Sequence, residues 1–435
     1  MAEKINDINI GIIGYGVVGS GVVKILKSRR KALRERFKKD FVIKTICDRS
    51  INKKLPQGLE STLLTTDINA VLNDPEIHVV VELIGGMNPA KEIVLRSLRQ
   101  GKHVVTANKE LIANCGQELF KEANVHNRTI FYESSVMAGI PIIRMLTEGL
   151  AGNKFNGLFG IINGTSNYIL SEMAKSHISF AEALRAAQEK GYAESNPTLD
   201  INGMDATHKL AILVYLALGK FVSVKEIHTE GISHISQDDI EYADSLNLTI
   251  KLLAIAKKVG NELDVRVHPT LIAKDHSLAT VNNVDNAILV DGDLIGDIFI
   301  EGAGAGQMAA ASGVVSDLMN IAERVDNDLS RWVGNVPEEG ETLPIRKIDE
   351  VETRFYIRLM LVDKPGVLSA IFNIFGQYNI SIASVTQKIE NKMSAVPVVM
   401  LTHHVKERLL KEALEQLDLL PVVKGKPVAI RMEKL

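Results

Sequence analysis

The sequence predicts a mixed α/β chain in three parts: a doubly wound parallel sheet, an α+β domain and a small βαββαβ unit. Three observations carry this reading. Residues 1–130 alternate short runs that are apolar on both faces with helical patterns, as a parallel sheet covered by helices does. Residues 131–333 lose that alternation and mix helices with further strand-like pieces. Residues 353–435 read strand, helix, strand, strand, helix, strand within one short segment.

The elements follow in order. In the first part INIGIIG, FVIKTICD, HVVVELIG, HVVTAN and RTIFYES are expected as strands. VVKILKSRR, NPAKEIVLRSLRQG and KELIANCGQELFKEANV are the helices between them. In the second part FNGLFGIING, DVRVHPTLI, NAILVDG and IGDIFIEG are expected as strands of a separate sheet, a natural dimerisation surface. FAEALRAAQEKG and LTIKLLAIAKKVG are expected as helices. LAILVYLALG is apolar all round, so its helix is buried. Residues 334–352 are polar and rich in Pro and Gly, and read as a linker. In the last part RFYIRLMLV, SIASVTQKIE, SAVPVVMLT and PVAIRM are the strands; GVLSAIFNIFGQYN and VKERLLKEALEQLD are the helices.

Composition bounds the function. With 435 residues, 46% hydrophobic and 24% charged content, the chain has the make-up of a soluble globular protein with several cores. A net charge of −3 argues against a general nucleic-acid binder. Eight Lys and Arg fall between Lys27 and Lys39, in an expected helix. They read as its solvated face, with a supporting field for a phosphate-bearing cofactor as the lesser reading. Cys47 and Cys115 show neither metal-ligand spacing nor a disulfide framework, which favours a reducing, cytosolic setting. The N-terminus enters a strand at once, without a signal-peptide pattern. The longest apolar run is half the roughly 20 residues a membrane span needs. A cytoplasmic protein without membrane or nucleic-acid partners is expected.

Gly14-Tyr15-Gly16-Val17-Val18-Gly19 follows the first strand and opens a helix, the context in which GxGxxG signals a dinucleotide. Gly14 permits the tight turn, Gly16 lets the backbone approach a pyrophosphate, and Gly19 lets helix and strand pack closely. The helix N-terminus supplies free N–H groups for the phosphates. The second strand ends at Cys47-Asp48-Arg49. An acid there favours NAD and an arginine favours NADP; both are present, and the cofactor is either.

Residues 191–210, GYAESNPTLDINGMDATHKL, place Glu194, Asp200, Asp205 and Lys209 at the mouth of the buried helix. Such acids suit a small substrate carrying an ammonium group. Asp205 and Lys209 are four apart and share a helix face. Read alone they are as well a structural ion pair as a catalytic one. Burial and the helix dipole disfavour the lysine's charged form, while Asp205 favours it. A lysine held between those terms is a candidate for proton transfer, which hydride transfer to a carbonyl requires. Asn163-Gly164-Thr165-Ser166-Asn167 opens a further helix and offers hydroxyl and N–H groups to a carboxylate or hydroxyl, or is a plain capping turn. Lys109 follows the strand end Thr106-Ala107-Asn108, and strand C-termini of a doubly wound sheet face the ligand crevice.

The stretch 191–210, with GYGVVGSGVV, VVVELIGG, GKHVVTANKELIA, GIPII and GIINGTSNYIL, resembles the homoserine dehydrogenase family from residue 8 to about 320. The resemblance implies reversible reduction of aspartate 4-semialdehyde to homoserine with NAD(P)H. It implies Lys209 as proton donor and acceptor with Asp205 beside it, and Lys109 at the cofactor–substrate junction. Glu194 and Asp200 would bind substrate, with Thr165 and Tyr192 nearby. ESSVMAGI resembles a loop that binds sodium or potassium through Glu133 and the carbonyls of Val136, Ala138 and Ile140. EGAGAGQMAAASGVVSDL, with Gly306, resembles the glycine-rich return segment near the nicotinamide. Three positions depart from the family pattern. Asn196 stands for an aspartate, Cys47 for an arginine common there, and Met308-Ala309-Ala310 for a Pro-Thr pattern. Residues 353–435 resemble an ACT domain, which implies an amino-acid effector. That effector would be threonine, held at interfaces between copies, with Asp363, Gly366 and Asn379 as contacts. A homodimer or homotetramer is implied. The competing readings are a dehydrogenase for another amino-acid semialdehyde and a catalytically inactive amino-acid sensor.

Overall fold

The computed structural model describes residues 7–50, 59, 61–324, 343–387 and 395–435. Packing divides the chain into two compact units. One comprises residues 1–156, 205–227 and 284–342, and the other residues 157–204, 228–283 and 343–435.

The first unit is built on a six-stranded parallel sheet. Its strands lie in the order Leu63–Thr65, Asp40–Cys47, Asp7–Ile13, Val79–Glu82, His103–Thr106 and Ile130–Phe131. The sheet is doubly wound as expected, and the short strand Leu63–Thr65 is an addition. Chain order reverses at Asp7–Ile13, so the crevice at the C-terminal ends of this strand and Val79–Glu82 is the switch point where such sheets bind ligands. The helix Val17–Phe37 packs beside the helix Gln307–Arg324, and Val22, Leu26, Val314, Leu318 and Ile321 share one apolar core with the sheet. The helix Met204–Leu218 is buried from Asp205 to Tyr215, as its all-round apolar pattern requires. Asp285–Gly292 and Gly296–Ala303 form an antiparallel hairpin.

The strands of the second unit run Phe155–Ile161, Leu248–Val259, Glu262–Ala273, Val428–Met432, Glu352–Leu361, Val396–Thr402 and Ile382–Gln387. LTIKLLAIAKKVG corrects the expectation of a helix: Leu248–Val259 is a strand. It pairs along its whole length with Glu262–Ala273 and, on its other edge, with Phe155–Ile161. Its residues 250–256 are buried on both faces, so a strand offers the same apolar run as a helix face. The hairpin signal was Gly260-Asn261, with Gly260 at φ +59°.

The C-terminal βαββαβ unit is present, with helices Val367–Gln377 and Glu407–Asp418 over one apolar core. Its last strand, Val428–Met432, also pairs parallel with Glu262–Ala273 through Thr270 and Leu271. The unit thereby continues the larger sheet. Of the expected linker, residues 334–342 lie outside the described residues, as do residues 388–390 of SIASVTQKIE. The remainder holds a bridge from Ile345 to Leu263 and a 3₁₀ turn at Ile348–Glu350. Among the described residues no helix is long and apolar enough to cross a membrane.

Candidate active site

The three glycines of the first turn do different work. Gly14 has φ +104°, and a Cβ there would stand 2.7 Å from the Leu83 carbonyl. A Cβ on Gly19 would fall 2.1 Å from the Gly14 oxygen. Gly16 precedes the helix Val17–Phe37 with no side-chain cap, and its Cβ position meets nothing within 4 Å. Gly16, Val17, Val18 and Gly19 thus present an uncapped helix N-terminus with open space before it, the cradle a pyrophosphate needs. Asp48 braces the turn: its Oδ2 accepts from Tyr15 N at 2.7 Å and its Oδ1 from Ser50 N at 2.9 Å. Arg49 is exposed. Cys47 is buried in the cluster with Ile13, Val71 and Val80, and burial pushes its thiol pKa up.

Gly306, at φ +113°, opens the helix Gln307–Arg324. Gln307 Nε2 donates to the Val17 carbonyl at 3.1 Å and to Ser20 Oγ at 3.0 Å, tying this return segment to the phosphate-binding turn. At 308–310 the contacts are made by the backbone and do not depend on which side chains stand there: the Ala310 carbonyl accepts from Ser134 Oγ at 2.9 Å, and the Ala309 carbonyl leaves no room for a Cβ on Gly139.

Within the same unit Asp205 joins two lysines. Its Oδ2 lies 2.7 Å from Lys209 Nζ and its Oδ1 2.6 Å from Lys109 Nζ. Burial alone would raise the Asp205 pKa, but the charges of Lys209 and Lys109 outweigh it and hold the carboxyl well below the usual range. Asp205 occupies the first turn of its helix, and Lys209 stands one turn further in. The Lys209 side chain is 10% exposed and that of Lys109 is 39% exposed, so Lys109 is the more open of the two.

Sequence reading missed what positions Lys109. Asn108 caps the helix Lys109–Val125 through Leu111 N and donates from Nδ2 to the Gly86 carbonyl at 2.7 Å. Thr106 Oγ1 accepts from Asn108 N at 3.0 Å and donates to Glu82 Oε2 at 2.6 Å. Glu82 is fully buried, and burial raises its pKa against the bonds from Thr106, Ile84 N and Gly85 N. The available signal was a lone glutamate inside the apolar run VVVELIGG.

Four further candidates lie in the second unit. Asp200, in the helix Thr198–Ile201, accepts at Oδ1 from Asn163 Nδ2 at 2.8 Å, and its carbonyl accepts from Ser166 Oγ at 2.9 Å. Thr165 Oγ1 donates to the Tyr192 carbonyl at 2.8 Å. Glu194 is exposed. Asn163 also caps its own helix through Ser166 N, so the NGTSN turn is a cap that reaches Asp200 as well. Asn196 Oδ1 accepts from Thr198 N and Thr198 Oγ1, at 3.3 and 2.6 Å. An amide oxygen serves that turn as an aspartate would, with one charge fewer.

Glu133 is buried, and its two oxygens accept from Ile143 N at 2.8 Å and Arg144 N at 3.0 Å. Burial raises its pKa to about 7 against those bonds and the Arg144 charge. Met137 and Ala138 both have left-handed backbones, at φ +55° and +52°, which curl the chain from Val136 to Ile140. A carboxylate and backbone carbonyls are the hard oxygen donors a monovalent cation takes; of those carbonyls, that of Ile140 already accepts from Ile142 N at 2.8 Å.

Asp363 and Gly366 precede the helix Val367–Gln377, and Asn379 follows it. At 1.5 Å per residue the helix separates them by roughly 16 Å. One copy of the chain does not bring these three together.

The chain matches the family models described as homoserine dehydrogenase over residues 141–319, homoserine dehydrogenase NAD binding domain over 14–133, and ACT domain over 355–419. It is 40% identical to a homoserine dehydrogenase of Pseudomonas aeruginosa, over 98% of this chain and 99% of that one. The crystal structure of a homoserine dehydrogenase from Thiobacillus denitrificans superposes with a TM-score of 0.91 at 39% identity, covering 99% of each chain. A hyperthermophilic archaeal homoserine dehydrogenase, solved in complex with NADPH, superposes with a TM-score of 0.62 at 27% identity, over 72% of this chain and 97% of that one. Family models over residues 14–133 and 141–319, and 40% identity over the full length, show the family: this chain belongs to the homoserine dehydrogenase family of oxidoreductases, with a C-terminal ACT domain.

Proposed function

We propose that this enzyme interconverts aspartate 4-semialdehyde and homoserine using NAD or NADP, with Lys209 moving the proton at the substrate oxygen. The observation that carries this reading is the Asp205 carboxylate held between Lys209 and Lys109. Reduction of an aldehyde leaves an alkoxide that must be protonated. The bound cofactor supplies the hydride. Lys209, kept as an ammonium by Asp205, donates its proton to the oxygen and takes it back in the reverse direction. Lys109, more open and anchored by Asn108, supplies a second positive charge as negative charge develops on the oxygen. Asp205 orients both ammonium groups and is not consumed.

The remaining roles are those the family resemblance implies. Glu194 and Asp200 bind the substrate's α-ammonium, and Thr165 and Tyr192 complete its pocket. Gly14, Gly16, Val17, Val18, Gly19, Asp48, Arg49, Lys109 and Gly306 bind the cofactor. Glu133 and the carbonyls of Val136, Ala138 and Ile140 hold sodium or potassium, which would stabilise the buried carboxylate in its ionised form. Threonine is the effector, with Asp363, Gly366 and Asn379 as contacts completed across copies in a homodimer or homotetramer. The working parts are residues 1–130 for the dinucleotide, 131–333 for substrate and dimerisation, a linker at 334–352 and regulation at 353–435, in the cytoplasm.

The test follows NAD(P)H oxidation with aspartate 4-semialdehyde, with each cofactor, with and without threonine. Turnover with that aldehyde is expected; its absence sinks the reading. Lys209→Ala is expected to lower kcat by about 10²–10⁴ while cofactor still binds. Near-normal turnover in that variant removes Lys209 from the chemistry.

A further inference from the structure

The last strand of the ACT domain carries a charge clamp built on a buried arginine. Arg431 is 5% exposed and lies between two carboxylates. Its Nη1 and Nη2 donate to Glu230 at 2.9 and 2.8 Å, and its Nε and Nη2 donate to Glu407 at 2.8 and 2.6 Å. His228 Nε2 lies 2.7 Å from Glu230 Oε1 and closes the cluster. Glu407 opens the second ACT helix, and Arg431 belongs to its final strand. Glu230 belongs to neither: its N–H donates to the Val267 carbonyl at 2.8 Å, just after the short strand His228–Thr229.

The segment that carries Glu230 rests on the turn that carries Asp200. Ile232 N donates to the Ile201 carbonyl at 2.9 Å. Gly231 is packed so tightly that a Cβ would stand 2.1 Å from the same Ile201 oxygen and 2.6 Å from Asn202 Cα. Gly203, at φ +86°, would bring a Cβ to 3.1 Å from the Glu230 carbonyl. The turn is gripped on its other side by Asn163 and Ser166, both bonded to Asp200. Packed backbone of this kind transmits small displacements, because nothing soft lies between its parts.

We propose that Arg431 and Glu230 are positioning residues: through Gly231 against Ile201, the ACT domain's last strand sets where the substrate-binding carboxylate Asp200 stands. This deepens the proposed function and rests on Asp200's role in it. A bidentate guanidinium–carboxylate pair fixes direction as well as distance, which lysine does not reproduce. A change of ACT packing that moves Arg431 pulls Glu230 and so shifts the turn, without any effector touching the catalytic lysines. Such a mechanism tunes substrate affinity more than turnover.

The experiment uses full-length Arg431→Lys and Glu230→Gln, both chosen to keep the fold, with Gly231→Ala as an independent wedge. Two quantities are read: amide hydrogen exchange at residues 199–203, and KM for aspartate 4-semialdehyde against kcat and the cofactor KM. Exchange there is expected to rise about ten-fold or more in each variant. KM for the aldehyde is expected to rise about ten-fold, with kcat and the cofactor KM within about two-fold. The double variant Arg431→Lys/Glu230→Gln is expected to match the singles and not to add to them. Unchanged exchange at 199–203 overturns the proposal, as does a loss that falls equally on kcat, both KM values and exchange across the unit. Faster exchange with an unchanged aldehyde KM upholds the mechanical link and removes Asp200 from substrate binding instead.

Discussion

Replacing Asp205 by Asn keeps the shape of the side chain and removes the one charge that two lysines share. The carboxylate is buried and paired at 2.6 and 2.7 Å. Removing one partner of a buried ion pair costs about 3–5 kcal/mol, because the other charge is left uncompensated. The Lys109 half is worth less, since that side chain is 39% exposed and water screens it. A loss of about 3 kcal/mol at neutral pH follows, a fall in melting midpoint of about 6–12 °C at the 2–4 °C per kcal/mol of larger domains. The sign of the pH dependence is fixed by the direction of the shift. The Asp205 pKa is depressed in the folded state, so its stabilisation is complete above the unfolded value of about 3.9 and fades as pH falls below it. The assay is the melting midpoint of wild type and Asp205→Asn between pH 7 and pH 3. The gap is expected to be widest near neutrality and to narrow below about pH 4. A gap that is absent at pH 7, or that grows on acidification, refutes an ionised Asp205 bridging the two lysines.

Two further predictions separate roles that proximity alone confuses. Gly16→Ala meets open space and is expected to leave the melting midpoint unchanged while weakening NAD(P)H binding in a fluorescence titration. Gly19→Ala collides with the Gly14 carbonyl and is expected to lower both. Equal effects of the two on stability count against an open cradle at Gly16. Arg49→Ala tests cofactor choice: if the exposed arginine pairs with a 2′-phosphate, kcat/KM with NADPH falls about ten-fold or more relative to NADH, the worth of one charge-assisted hydrogen bond. An unchanged ratio leaves Asp48 alone to face the ribose.

The sheet of the first unit was legible because each strand is short, apolar on both faces and set off by amphipathic helices. Asp205 and Lys209 were legible because four residues along a helix is a geometric statement. Lys109 reaching the same carboxylate was only a direction in the sequence, since 96 positions separate it from Asp205. The strand Leu248–Val259 was misread because burial on both faces erases the two-residue period that marks a strand, leaving a run that suits a helix as well. Glu82 was overlooked because the side chain that bonds it, Thr106, ends a different strand. The return helix Gln307–Arg324 carries no pattern that names its partner; the Gln307 bonds to Val17 and Ser20, the shared apolar core and the close approach of Gly21 to Ala311 show which helix it covers.

The same limit bears on regulation. A sequence boundary at residue 353 suggests a module that can be cut away, leaving an active but unregulated enzyme. The structure gives that module's last strand two duties. Val428–Met432 closes the ACT sheet against Glu352–Leu361 and pairs with Glu262–Ala273 of the larger sheet. Arg358 and Tyr356 reach Asp239 at 2.7 and 3.0 Å, so a second strand of the module is fastened to the helix Gln237–Ser245. Deleting residues 353–435 would therefore expose a buried sheet edge and leave Asp239 and Glu230 without their arginines. Lost activity in such a truncation would speak to stability as much as to signalling. Point changes at Arg431 and Glu230 keep the sheet whole, and they are the perturbations from which a regulatory conclusion can be drawn.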